Sequence, residues 1–149
     1  MKVVIALGSN LGDSQSILSD AITQIRKSID VQAVSEFHET IPVGGPEQPN
    51  YLNAVLIADT QMKPLELIAH LQSIENNAGR VRNERWGPRI LDLDLITYGD
   101  LVMDEQLLTL PHPRAHERSF VLAPWFEIDP QAALPGYGKI GVLLKQIAG

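Results

Sequence analysis

Asp92 and Asp94 lie two residues apart inside the apolar segment RILDLDLITYG. In a strand, side chains at i and i+2 share one face at ~7 Å. Two carboxylates at that separation repel by roughly 2–3 kcal/mol at an effective dielectric of 20. A cation between them removes that cost. Oxygen ligands that leave coordination positions to water and substrate phosphates describe magnesium. Two such ions ~4 Å apart can share a carboxylate pair and clamp a triphosphate. Six of the seven arginines (Arg80, Arg82, Arg85, Arg89, Arg114 and Arg118) fall between positions 80 and 118, and Arg26 alone lies outside. The planar guanidinium fork suits phosphate. An isolated Asp-x-Asp more often solvates an open sheet face, and an arginine group more often covers a surface. Their coincidence, with Trp86 in a polar loop beside Gly87-Pro88, favours a site for a small anionic ligand.

Other chemistries find less support. ALGSNLG lacks the Lys-Ser/Thr that completes a Walker A loop, so it reads as a turn. His112 and His116 are four apart, without a further His or carboxylate at a fixed zinc spacing. His112 beside Arg114 and Arg118 better suits phosphate contact. No cysteine is present, which excludes disulfides and thiolate chemistry. Ser9 and Ser14 have no nucleophile elbow or histidine partner.

Elements must position these groups. KVVIALG predicts a strand ending at Gly8, and SNLGDS a turn with Asp13 or Ser14 as helix N-cap. Ile17, Leu18, Ala21, Ile22, Ile25 and Ile29 recur at helical spacing. VQAVSEFHET alternates as one strand, and IPVGGPEQPN is a Pro/Gly-rich loop. YLNAVLIADT is a strand with Tyr51 and Asn53 on one face and Leu52, Ala54 and Leu56 on the other. Pro64 opens a second helix, carried by Leu65, Ile68, Leu71, Ile74 and Ala78 and stopped by Gly79. RVRNERWGPR is a second loop. In the next strand Leu91, Leu93 and Leu95 face the core. LTLPHPRAHERS predicts a turn region, followed by helices around FVLAPWFEI and over Ile140–Ile147.

The order β-α-β-β-α-β is the split βαβ, or ferredoxin-like, arrangement of the α/β (α+β) class. It predicts an antiparallel sheet with helices on one face and extra C-terminal helices. Asp92 and Asp94 then project from the opposite, open face, with Tyr51 and Asn53 beside them and the two loops as a roof. At 149 residues, 44% hydrophobic and 20% charged, the chain reads as one domain, 1–149. A net charge of −6 argues against a generic nucleic-acid binder. No apolar run approaches the roughly 18 residues of a membrane span. A soluble, cytoplasmic protein, acting as a monomer away from membranes and nucleic acid, is expected.

Five ordered segments carry a resemblance to a known family: ALGSNLGD, TIPVGGPEQPNYLNAV, IENNAGRVRNERWGPR, RWGPRILDLDLITYG and LPHPRAHERSFVLAPWFEI. Together they resemble 6-hydroxymethyl-7,8-dihydropterin pyrophosphokinase of the folate pathway. The resemblance implies a ferredoxin-like fold and transfer of diphosphate from ATP to the pterin's hydroxymethyl oxygen, with release of AMP. By the same resemblance Asp92 and Asp94 match ligands of two Mg2+ ions. Thr40, Pro42, Val43, Tyr51, Asn53, Trp86 and Phe120 match pterin-binding positions. Glu75, Arg82, Arg89, Thr109, His112 and Arg118 match the nucleotide side, and Arg80, Arg82, Arg89 and Asp94 the catalytic set. A flat heteroaromatic wants stacking partners, and its amide-like edge a group that both donates and accepts, as Asn53 does. His38 stands where relatives often carry Tyr, and Pro113 where some have an aromatic. The competing readings are an RNA-binding module of the same fold, opposed by the acidic face, and another metal-dependent nucleotidyl or glycosyl transferase.

Overall fold

The computed structural model describes residues 1–10, 12–40, 50–80 and 90–148. Strand β1 (Lys2–Ser9) is buried from Val3 to Ser9, because its continuous apolar run lies at the centre of the sheet. Helix α1 (Ser14–Arg26) starts at Asp13, whose side chain accepts from the Ser16 amide. Strands β2 (Asp30–Val34) and β3 (His38–Thr40) precede β4 (Tyr51–Asp59), and helix α2 (Pro64–Arg80) leads toward β5 (Asp92–Tyr98). The main sheet runs β2-β4-β1-β5, with β3 joined to β4 along the edge that β2 also occupies. All its pairings are antiparallel. A hairpin β6 (Met103–Glu105) and β7 (Leu108–Leu110), a 3-10 turn (Ala115–Glu117), helix α3 (Ser119–Ile128), strands β8 (Ala133–Leu134) and β9 (Gly138–Lys139), and helix α4 (Ile140–Ala148) complete the described order.

Two apolar layers share this sheet. Val3, Ile5 and Leu7, with Ala54, Leu56, Leu93 and Leu95, pack against Leu18, Ile22 and Ile25 of α1 and Leu67 and Leu71 of α2. Val4, Val55, Ile57 and Ile96 meet Val121, Leu122 and Trp125 of α3 and Ile140 of α4. The core helices α1 and α2 share one face as expected, while the C-terminal helices α3 and α4 cover the second, which corrects the expectation that this face is open. The reason is visible in β1: Val3, Val4, Ile5, Ala6 and Leu7 alternate across the sheet with no polar side, so the second face also needs a cover.

Other boundaries moved for local reasons. The segment read as one strand over 31–40 is two strands, because Ser35 Oγ accepts from the Val55 amide at 3.0 Å. A hydroxyl there replaces a ladder carbonyl. Helix α2 continues through Gly79 to Arg80, so Arg80 ends a helix rather than opening a loop. Part of the segment expected as a turn is the strand Leu108–Leu110, whose two leucines enter the first layer.

Candidate active site

Small residues on β1 make the floor of a cleft. Gly8 pairs with Asn53 on one side and Asp92 on the other, and Ala6 with Val55 and Asp94. Partnered residues share a face, so the two aspartates and Asn53 rise around Ala6 and Gly8. An added Cβ at Gly8 would lie 3.1 Å from Asn53 Oδ1, so the floor is low because a side chain has been left out. Sequence reading missed this; the signal was the Ala6/Gly8 alternation in an otherwise bulky strand.

The cleft, about 540 Å³, is lined by Thr40, Tyr51 and Asn53 from the β3/β4 edge and by Asp92 and Asp94 from β5. Arg118 and Phe120, at the start of α3, close the opposite wall, with Glu117 beside them. Asn53 Nδ2 donates to Thr40 Oγ1 at 2.6 Å. That bond sets the amide's orientation and leaves its second N–H and its oxygen to meet a ligand. The Arg118 guanidinium sits 5.4 Å from the Phe120 ring centroid, a cation–π contact.

A bulge in β5 brings His112 to the same region. The register with β1 shifts between Val4 and Ile5, leaving Ile96 outside the pairing, and the Ile96 carbonyl accepts from the His112 amide at 2.9 Å. His112 is held below its ordinary pKa, chiefly by burial, then by Arg118 and Arg114, with Asp94 opposing. Its Nδ1 accepts from the Arg114 amide at 3.2 Å, so the neutral ring carries its proton on Nε2. Glu75 reaches from α2 to accept from the Leu93 amide at 2.7 Å, which ties the outer edge of β5 between the two aspartates. Thr109 lies on β7, with Oγ1 3.5 Å from Asp104 Oδ1.

Thr40, Tyr51, Asn53, Asp92, Asp94, Arg118 and Phe120 are thus brought to one cleft, with His112 adjacent and Glu75 and Thr109 outside its lining. Pro42, Val43, Arg82, Trp86 and Arg89, the loop segments expected as a roof, and the side chain of Arg80 lie outside the described residues. Among the described residues no three His, Asp or Glu side chains form a metal-holding group.

The family model of 7,8-dihydro-6-hydroxymethylpterin-pyrophosphokinase matches residues 4–130. The chain belongs to this family. Among its relatives named 2-amino-4-hydroxy-6-hydroxymethyldihydropteridine pyrophosphokinase, that of Haemophilus influenzae is 43% identical over 97% of this chain and 91% of its own. That of Bacillus subtilis is 43% identical over 85% of this chain and 77% of its own. The wild-type Plasmodium falciparum HPPK-DHPS crystal structure superposes with a TM-score of 0.78 at 13% identity, covering 97% of this chain. This pyrophosphokinase chain spans 44% of that longer protein. The mixed α/β fold is common to the two.

Proposed function

We propose that this cleft binds 6-hydroxymethyl-7,8-dihydropterin and passes it the terminal diphosphate of ATP. Membership of the family makes the chain a folate-pathway pyrophosphokinase; the assignment of roles to its residues is our reading. One observation carries it. Three separate segments, β4, β5 and the start of α3, converge to put a donor–acceptor amide, two aromatic rings, the two aspartates and an arginine around one cleft.

Tyr51 and Phe120 offer ring faces to a flat heterocycle, and Asn53, steadied by Thr40, reads its amide-like edge. Asp92 and Asp94 would hold Mg2+ through the oxygen donors it prefers. Bound there, magnesium would neutralise the triphosphate charge. Arg118 adds positive charge beside the acceptor, and the neutral His112 offers an N–H from Nε2 to a phosphate oxygen. The pterin hydroxymethyl oxygen gives up its proton to solvent and bonds to the β-phosphorus as the bond from that phosphorus to the α–β bridging oxygen breaks, so AMP leaves with that oxygen. Such transfers need positioning and charge neutralisation more than covalent help. Arg80, Arg82, Arg89, Trp86, Pro42, Val43, Glu75 and Thr109 join this proposal through the sequence resemblance.

A ferredoxin-like arrangement belongs to the same reading, supported by the strand order β2-β4-β1-β5 with α1 and α2 on one face. A cytoplasmic monomer is part of the same reading, and no described helix is long and apolar enough to cross a membrane. The test is product analysis with ATP, Mg2+ and the pterin. AMP in equal amount to diphosphorylated pterin is expected; ADP would overturn the reaction. Asp92→Ala or Asp94→Ala should abolish turnover while metal-free stability holds or rises, because a like charge is removed. A variant that turns over normally, or one that unfolds, removes the metal assignment.

A further inference from the structure

Outside the cleft, one carboxylate joins the two walls that hold the ligand. Glu127, in the last turn of α3, uses one oxygen on the short link between β2 and β3 and the other on the first residue of β3. Its Oε2 accepts from the Glu36 amide at 2.7 Å, and its Oε1 lies 2.7 Å from His38 Nε2. We infer that Glu127 is a positioning residue for the pterin side of the cleft, setting the separation between the Thr40–Asn53 wall and Phe120. This rests on assigning the cleft to the pterin.

The geometry follows from three elements. In register, His38 faces Asn53 and Thr40 faces Tyr51, so all four lie on the face that α3 crosses. Phe120 and Glu127 are seven residues apart on α3, two turns or ~10 Å along nearly the same helix face. Phe120 therefore meets the ligand at one end of that face, and Glu127 grips the strand link at the other. Strand β3 is three residues long and, among the described residues, pairs with β4 alone, so its own ladder holds it weakly against α3. The clamp supplies what the ladder lacks. Glu127 is held below its usual pKa first by the Glu36 amide, and the His38 hydrogen bond and charge act in the same direction. The carboxylate is thus ionised throughout the neutral range.

About a third of each clamp side chain is exposed, so its loss should shift the wall rather than unfold the protein. The probes are 6-hydroxymethylpterin and a non-hydrolysable ATP analogue, titrated separately. Glu127→Ala should weaken pterin binding about three- to tenfold, as one partly exposed charged hydrogen-bond pair warrants, with ATP-analogue binding unchanged. Glu127→Gln keeps an acceptor for the Glu36 amide and should restore most of the affinity. Amide exchange at Glu36 should accelerate in the alanine variant and not in the glutamine variant. His38→Ala removes half of the clamp and should show a smaller loss with the same selectivity, even if Glu127→Ala folds poorly.

Asn53→Ala separates the two levels of argument. Pterin binding undiminished in Asn53→Ala would remove the cleft assignment itself. Weakened binding in Asn53→Ala but not in Glu127→Ala or His38→Ala would overturn the clamp alone. Equal loss of pterin and nucleotide in Glu127→Ala would also overturn it.

Discussion

At Gly8 the absence of a side chain is the functional feature. Gly8→Ala puts a methyl 3.1 Å from Asn53 Oδ1, so the amide must shift by a few tenths of an ångström. Strand geometry tolerates alanine, and the unfolding midpoint should stay nearly in place. Pterin affinity should fall by roughly 1–3 kcal/mol, the range for a misplaced buried hydrogen-bonding group. Calorimetric titration and thermal melting together check this; an unchanged affinity would remove Gly8 from the site. At His112 the sign of a second effect can be worked out. Burial lowers its pKa from the ordinary 6.5, and the Asp94 charge partly restores it. Asp94→Asn should therefore depress it further, as an NMR titration of the ring will read. Because the folded state favours the neutral ring, this stabilisation is complete above pH 6.5 and is lost as pH falls through the lowered folded value.

Among elements, β5 borrows bonds along its outer edge. It is the terminal strand of the main sheet, with its outer edge met by a side chain at Leu93 and by a loop amide at Ile96. A terminal edge left open is prone to slip or to pair wrongly, and slippage here would misplace both aspartates. Glu75→Ala should destabilise the protein by about 1–2 kcal/mol, the cost of orphaning a part-buried amide. Amide exchange at Leu93 should accelerate, and Glu75→Gln should recover much of the loss because it still offers an acceptor. Unaltered exchange at Leu93 in the alanine variant would show that the edge is held otherwise.

For the whole molecule, the two apolar layers differ in what they support. Leu71 is 1% exposed under α2 and Trp125 is 2% exposed under α3. Truncation to alanine should cost roughly 2–5 kcal/mol at Leu71 and 3–5 kcal/mol at Trp125. Both should lower the midpoint of a shared urea transition. Only Trp125→Ala should also weaken pterin binding, because α3 carries Phe120 and Arg118. Equal effects on binding from both variants would mean that α3 has no special hold on the cleft.

Local pattern determined much of this protein. Alternation in LDLDL placed leucines and aspartates on opposite faces, and YLNAVL did the same for Leu52 and Asn53, so a cleft holding Asp92, Asp94, Tyr51 and Asn53 was legible from period-two spacing. Ordered motifs carried the family. The strand break at Ser35 was not legible, because a hydroxyl accepting from Val55 competes with the ladder only once β4 is beside it. Nor was the cover on the second face, since an apolar run states that both sides must be buried and not by what. The low floor at Gly8 and the grip of Glu127 on Glu36 and His38 depend on partners 45 and about 90 residues away. Spacing along a chain sets which face a side chain takes; only tertiary contact sets what it meets there.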